Sequence, residues 1–180
     1  MRVISGTARG ALLKTPEGLA TRPTADRVKE ALFSIIQFDL PGASVLDLFG
    51  GTGQLGIEAL SRGAKNAVFV DESEKACRLI KENLKRTNFL ETSKVYRSDY
   101  AAFLKNCTEK FDIIFLDPPY AEVFLENSLN LITEIDILQS GGIIVTERPL
   151  GKELLCSFSD LQRSKDYKYG KTLLTLYRKQ

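Results

Sequence analysis

The stretch Phe111-Asp-Ile-Ile-Phe-Leu-Asp-Pro-Pro-Tyr120 ends an apolar run on one carboxylate, two prolines and one aromatic ring. The run reads as a buried strand. Each proline lacks an N–H and has a fixed φ, so the strand has to stop there. Asp117 and Tyr120 are then held at a stiff turn formed by Pro118 and Pro119. An acceptor beside a flat π surface suits a planar base that carries an exocyclic amine. A plain proline turn with Asp117 as a cap is the alternative, and the tetrapeptide alone leaves it open.

A second motif stands upstream. Val45-Leu-Asp-Leu-Phe-Gly-Gly-Thr-Gly-Gln-Leu-Gly56 is a strand, a glycine turn and a helix start. Gly51, Gly53 and Gly56 fit a nucleotide-binding fingerprint, with Gly50 beside them, and Asp71 ends the next strand in position to hold a ribose. Asp47 lies just before the glycines and would repel a pyrophosphate. It favours the ammonium and sulfonium of S-adenosylmethionine. Asp99 ends the third strand and suits an adenine amino group, or else caps the following helix. Glu72 and Phe49 flank the same site, Glu72 as a pocket residue or a solvated acid, Phe49 as a cofactor contact or core filler. Tyr100 and Cys77 read as packing residues.

The elements that position these residues alternate. Strands are expected at 44–48, 66–71, 93–98, 111–116 and 142–147, with helices at 54–62, 73–87, 99–106, 122–135 and 150–157. Five βα units in sequence predict a parallel sheet covered on both faces. Residues 160–169 and 171–179 read as an antiparallel hairpin turning at Gly170. Ahead of the core, Val3-Ile4 and Ala11-Leu12-Leu13 suggest two short strands. Val28, Ala31, Leu32, Ile35 and Ile36 share one helical face, with Thr24 as its N-cap. The expected organisation is a single unit: an extension over 1–40 and a core over 41–180.

The chain has 180 residues, 43% of them hydrophobic, which suits one domain with a sizeable core. It contains no histidine, which excludes imidazole bases, Ser-His or Cys-His nucleophiles and His-ligated metals. Cys77, Cys107 and Cys156 form no zinc spacing, so no metal is expected, and reduced cytoplasmic thiols fit better than bridges. No apolar run reaches the ~20 residues of a membrane span. The net charge of +2 is uneven, with basic excess in 1–30, 75–97 and 161–180 and acidic excess in 98–160. Such asymmetry suits a phosphate backbone or an ordinary solvated surface.

Asp-x-Phe-x-Gly-x-Gly, then Asp71, Asp99 and Asp-Pro-Pro-Tyr, resembles a class I S-adenosylmethionine-dependent amino-methyltransferase. Three further stretches resemble the bacterial 16S rRNA guanine-N2 methyltransferase family: Arg2-Val-Ile-Ser-Gly-Thr-Ala-Arg-Gly10, Thr21-Arg-Pro-Thr-Ala-Asp-Arg-Val-Lys-Glu-Ala-Leu-Phe33 and Tyr169-Gly-Lys-Thr-x-Leu174. The resemblance implies a Rossmann-like α/β fold with a seven-stranded, mostly parallel sheet and a C-terminal antiparallel hairpin. It implies methylation of a guanine N2 amine in 16S rRNA, in the small subunit or its assembly intermediate, by a cytoplasmic monomer. Asp117 and the Pro118 carbonyl would accept from the amine, and Tyr120 would stack on the base. Arg22 or Thr24 would meet the methionine carboxylate of the cofactor. Arg2, Arg9, Lys14 and Arg27 would be candidates for RNA phosphates, although Ala11 stands where relatives usually carry a basic residue. Alternatives are a DNA adenine-N6 or cytosine-N4 methyltransferase, for which 180 residues leave no room for a target-recognition domain, a non-catalytic RNA-binding module, and a nicotinamide dehydrogenase, disfavoured by Asp47.

Overall fold

The computed structural model describes residues 1–16, 23–118, 121–151, 157–158 and 160–180. Helix α1 (Pro23–Ile35) precedes a run of β1 (Ser44–Asp47), α2 (Gln54–Ser61), β2 (Asn66–Asp71), α3 (Glu74–Thr87), β3 (Ser93–Arg97), α4 (Tyr100–Asn106), β4 (Phe111–Leu116), α5 (Ala121–Ile135) and β5 (Leu138–Pro149). The chain closes with β6 (Ser157–Phe158), β7 (Leu161–Tyr169) and β8 (Thr172–Lys179). The strands form one sheet in the order β3-β2-β1-β4-β5-β8-β7-β6. The first five are parallel, and β8, β7 and β6 add antiparallel. The seven expected strands are present, and the two-residue β6 adds an edge.

Both faces are covered, as continuous apolar strands require. Residues alternate between the faces with the period of the pleat. Val45, Phe69, Phe115 and Val145 pack with Leu32 and Phe33 of α1, Ile36 in the turn that follows it, Ile57 of α2 and Ile80 of α3. Leu46, Val68, Leu116 and Ile144 pack with Leu104 of α4 and Leu125 and Leu129 of α5. Val3 and Leu13 of the N-terminal arm join the first cluster, so arm, α1 and sheet share a core. The arm doubles back through Val3 N–H to Ala11 O (3.0 Å) and Gly10 N–H to Val3 O (2.9 Å). Its ladder is a single bridge, Arg2 to Leu12, rather than two full strands.

Three expectations are corrected. Helix α1 begins at Pro23, so Thr24 sits inside the first turn and is not the N-cap; proline is well suited to open a helix, where its missing N–H has no intrahelical partner to lose. Strand β5 outruns the expected 142–147 because it pairs with β8 as far as Pro149 and Thr172. The expected helix at 150–157 is not the observed structure at its described ends. Leu150 N–H bonds Lys171 O at 3.0 Å, Gly151 has φ 101°, which no α-helix continues through, and Ser157–Phe158 is strand. Residues 152–156 of that expectation lie outside the described residues. Among the described residues no helix is long and apolar enough to cross a membrane.

Candidate active site

Strand β1 lies between β2 and β4, and the connections leave it in opposite directions there. Ligands of open α/β sheets bind at the carboxyl ends of strands at such a switch point. A cavity of about 380 Å³ opens at this place. Its wall includes Asp47, Phe49, Gly50, Gly51, Asp71, Glu72, Asp99 and Asp117, all singled out from the sequence.

The glycine turn is tied to the end of β2. Gly50 N–H bonds Val70 O at 2.8 Å, and Gly51 N–H bonds Asp71 Oδ2 at 2.9 Å. Gly53 caps α2 with φ 78°, a left-handed conformation that favours glycine. Gly53 makes no side-chain cap bond to the helix. Asp47 supplies one instead: its Oδ2 accepts from Gly56 N–H at 3.1 Å. A Cβ on Gly56 would lie 2.3 Å from Phe69 Cε1, so only glycine lets α2 seat this closely on β2.

Asp71 also accepts from Ser73 N–H at 2.8 Å through Oδ1. Both of its oxygens are therefore oriented by backbone, at the cavity wall. Asp99 fulfils the capping alternative, with Oδ1 accepting from Ala101 and Ala102 N–H at 3.0 Å each, and it still borders the cavity. Oδ2 accepts no hydrogen bond among the described residues.

Asp47 is 2% exposed, and burial pushes its carboxyl up to about 8, with the charges of Asp117 and Asp71 adding to the rise and the Gly56 bond opposing it. Burial likewise pushes Asp117 up to about 6. Asp117 follows β4, beside buried Pro118, and makes no hydrogen bond or ion pair among the described residues. Glu147, on β5 next to it, is pushed up to about 7 by burial and by the Asp117 charge.

Several wall residues escaped the sequence reading. Phe49 packs with Tyr100 at 5.5 Å and with Phe124 at 6.4 Å, and all three rings border the cavity. Phe124 belongs to a helix whose apolar face reads as core, so nothing in the spacing marked it. Met1 reaches the wall because the arm folds back, and its sulfur accepts from the Thr52 hydroxyl at 3.4 Å. The arm is anchored by fully buried Glu58, which accepts from Ile4 N–H (2.8 Å) and Ser5 N–H (3.0 Å) and pairs with Arg62 at 2.8 Å and Lys29 at 3.8 Å.

Arg2, Arg9, Lys14 and Arg27 are all exposed, and Lys14 pairs with Glu82 at 2.6 Å. Arg22, Pro119 and Tyr120 lie outside the described residues, as does Cys156. Thr24 lies in α1. Among the described residues no cluster of His, Cys, Asp and Glu is arranged to hold a metal ion.

A family model described as "Conserved hypothetical protein 95" matches residues 1–178. The Bacillus subtilis protein YlbH is 43% identical over 182 residues, 99% of each chain. Ribosomal RNA small subunit methyltransferase D of Haemophilus influenzae is 34% identical over 158 residues, covering 86% of this chain and 82% of its own. The solved structure of the methyltransferase yhhF from Escherichia coli superposes with a TM-score of 0.91 at 28% identity, covering 100% of this chain and 98% of that one.

Proposed function

From the premise that the chain belongs to the conserved hypothetical protein 95 family, with the fold of class I methyltransferases, we propose that it methylates the N2 amine of a guanine in 16S rRNA, using S-adenosylmethionine. Methyl transfer to small-subunit rRNA is supported by relatives that carry that name at 34% identity. The N2 position is our reading, and one observation carries it: Asp117, a carboxyl on the cavity wall at the strand end preceding Pro118, with no hydrogen bond or ion pair among the described residues.

The site residues fit the cofactor. Among the described residues buried Asp47 has one hydrogen bond and no cation beside it, and an α-ammonium would supply that cation. Asp71 would hold the ribose hydroxyls, Asp99 the adenine amine, and Glu72 and Phe49 the remaining edge. Gly50, Gly51 and Gly53 let the ligand approach backbone. Arg22 and Thr24 are the proposed partners of its carboxylate. Bound S-adenosylmethionine supplies an electrophilic methyl on a sulfonium and departs as the neutral thioether.

The chain's own task is positioning. A guanine amine is a poor nucleophile because its lone pair is delocalised into the ring. Asp117 and the Pro118 carbonyl accept from its N–H groups and turn the lone pair toward the methyl. As N2 gains the methyl it becomes cationic and sheds a proton to the Asp117 carboxylate or to water, so no histidine is needed. Holding a near-attack geometry supplies about 7–11 kcal/mol. Stacking on Tyr120 contributes about 1–3 kcal/mol, which offsets part of the few-kcal/mol cost of unstacking the base. Arg2, Arg9, Lys14 and Arg27 are proposed to meet RNA phosphates.

The test is tritiated S-adenosylmethionine with small ribosomal subunits from a strain lacking this protein, followed by nucleoside analysis. N2-methylguanosine is the expected product. Label in any other nucleoside overturns the N2 reading, and calorimetric binding of NAD in place of S-adenosylmethionine overturns the cofactor.

A further inference from the structure

We infer that Glu147 is a positioning residue for the target base: its carboxylate accepts the N1–H of the guanine whose N2 amine faces Asp117. The inference rests on the function proposed above and names what selects the base at that same site.

The placement comes from sheet register. Strands β4 and β5 are parallel, with Leu116 opposite Thr146. The next residues, Asp117 and Glu147, therefore stand side by side on chains spaced about 4.8 Å apart. Phe115 and Val145 lie on the α1–α3 face, so the pleat turns Asp117 and Glu147 to that face too. Asp47, whose strand pairs with β4 through Asp47 and Phe115, shares it. Three acids thus cross the strand ends in the order Asp47, Asp117, Glu147. The glycine turn and Asp71 lie on the Asp47 side of Asp117. Glu147 lies on the other side, one strand beyond the cavity wall, where an acceptor base would enter.

Glu147 makes no hydrogen bond or ion pair among the described residues. Across the sheet it faces Leu174 of β8, with Tyr167 of β7 beyond. Arg148, the next residue, turns to the opposite face and approaches Asp166 at 4.0 Å. Asp117 is the charged group set against it. A half-buried carboxylate beside another carboxylate is costly to keep unless a ligand brings donors.

Guanine brings them. Its N1–H and N2–H groups are adjacent donors, whereas adenine and cytosine place a ring-nitrogen lone pair beside their amines. Opposite an ionised Glu147, above about pH 7, such a lone pair would meet a carboxylate with no proton between them. Unpaired buried polar groups of this kind reject a wrong substrate strongly.

The experiment measures kcat, KM and the pH profile on small subunits from the strain lacking this protein, together with calorimetric affinity for S-adenosylmethionine. Glu147→Ala is expected to lower kcat/KM about ten- to a hundredfold at pH 8, the size of a lost hydrogen bond to a charged group, with cofactor affinity unchanged. Glu147→Gln keeps an acceptor oxygen and should recover part of that loss. Its acid limb should also move to lower pH, because Asp117 then ionises without a second carboxylate beside it. Full activity in Glu147→Ala, an unmoved acid limb in Glu147→Gln, or a matching loss of cofactor affinity overturns the inference. Wild-type protein that leaves guanine N2 unmethylated overturns the proposed function first, and this inference with it.

Discussion

Asp47 Oδ2 accepts the amide N–H of Gly56 at 3.1 Å, and among the described residues this is the carboxyl's one hydrogen bond in a site where it is 2% exposed. One neutral donor does not compensate the loss of water around a charge. The group therefore holds its proton up to about pH 8. A cation beside the carboxyl supplies the missing compensation and favours its ionised form.

The first consequence concerns stability of the ligand-free protein. Unfolded, Asp47 titrates near 3.9; folded, at about 8. Between those values the folded state binds more protons than the unfolded one, so stability falls as pH rises. Asp117, at about 6, and Glu147, at about 7, act in the same direction. The melting temperature should be lower at pH 8 than at pH 6. Asp47→Asn should flatten that slope, and parallel wild-type and variant curves would refute the assignment.

The second concerns cofactor binding. An α-ammonium beside Asp47 favours the ionised carboxylate, so binding near pH 7 should expel a proton. Calorimetry of S-adenosylmethionine in two buffers of different ionisation enthalpy should show proton release at pH 7 that fades above pH 9. Affinity should climb with pH toward about 8. Identical heats in both buffers at pH 7 would remove Asp47 from the ammonium's surroundings.

A third test reads packing. Gly56→Ala places a methyl 2.3 Å from Phe69 Cε1 and 2.6 Å from Cζ, and Phe69 is fully buried. Alanine gains about 1 kcal/mol in helix propensity. Overpacking at such contacts costs about 1–3 kcal/mol, and two ring atoms this close place it at the upper end. Denaturant melts should show net destabilisation with weakened cofactor binding, since α2 carries the turn; a more stable variant would contradict the close approach.

Most of the sheet was legible because each apolar run met a glycine, a proline or an acid at its end. Asp47, Asp71 and Asp117 stood out because a charge at the end of an apolar strand has few structural excuses. Phe124, Tyr100 and Met1 did not, because aromatic and apolar side chains on a cavity wall have the same spacing as those in a core. Glu58 was hidden for a different reason. The partners through which it holds the arm are backbone N–H groups more than fifty residues away, and local sequence carries no trace of them.

That anchor gives a fourth prediction. Glu58→Ala leaves Ile4 and Ser5 N–H without acceptors and Lys29 buried without its carboxylate. Breaking a buried pair from one side costs about 3–5 kcal/mol. Hydrogen exchange should accelerate across residues 1–14, and cofactor affinity should drop because Met1 leaves the wall. Unchanged exchange in the arm would show that Val3 and Leu13 hold it without Glu58.

The last prediction separates chemistry from binding. Asp117 stands at the proposed acceptor end of the cavity wall, whereas Asp47, Asp71 and the glycine turn cluster on the other side of it. Asp117→Ala should abolish methyl transfer to small subunits yet leave cofactor affinity nearly intact at neutral pH. It also removes a charge that raises Asp47. Affinity should therefore hold to lower pH in the variant than in the wild type, an effect a merely disrupted fold would not produce. Asp117→Asn retains one acceptor oxygen and should keep a small residual rate, with the acid limb then set by Glu147, whose carboxyl no longer has the Asp117 charge beside it. Tyr120→Ala should reduce subunit turnover more than cofactor affinity. Turnover that survives Asp117→Ala would mean the amine is oriented by other groups, and the Pro118 carbonyl would be the first to examine.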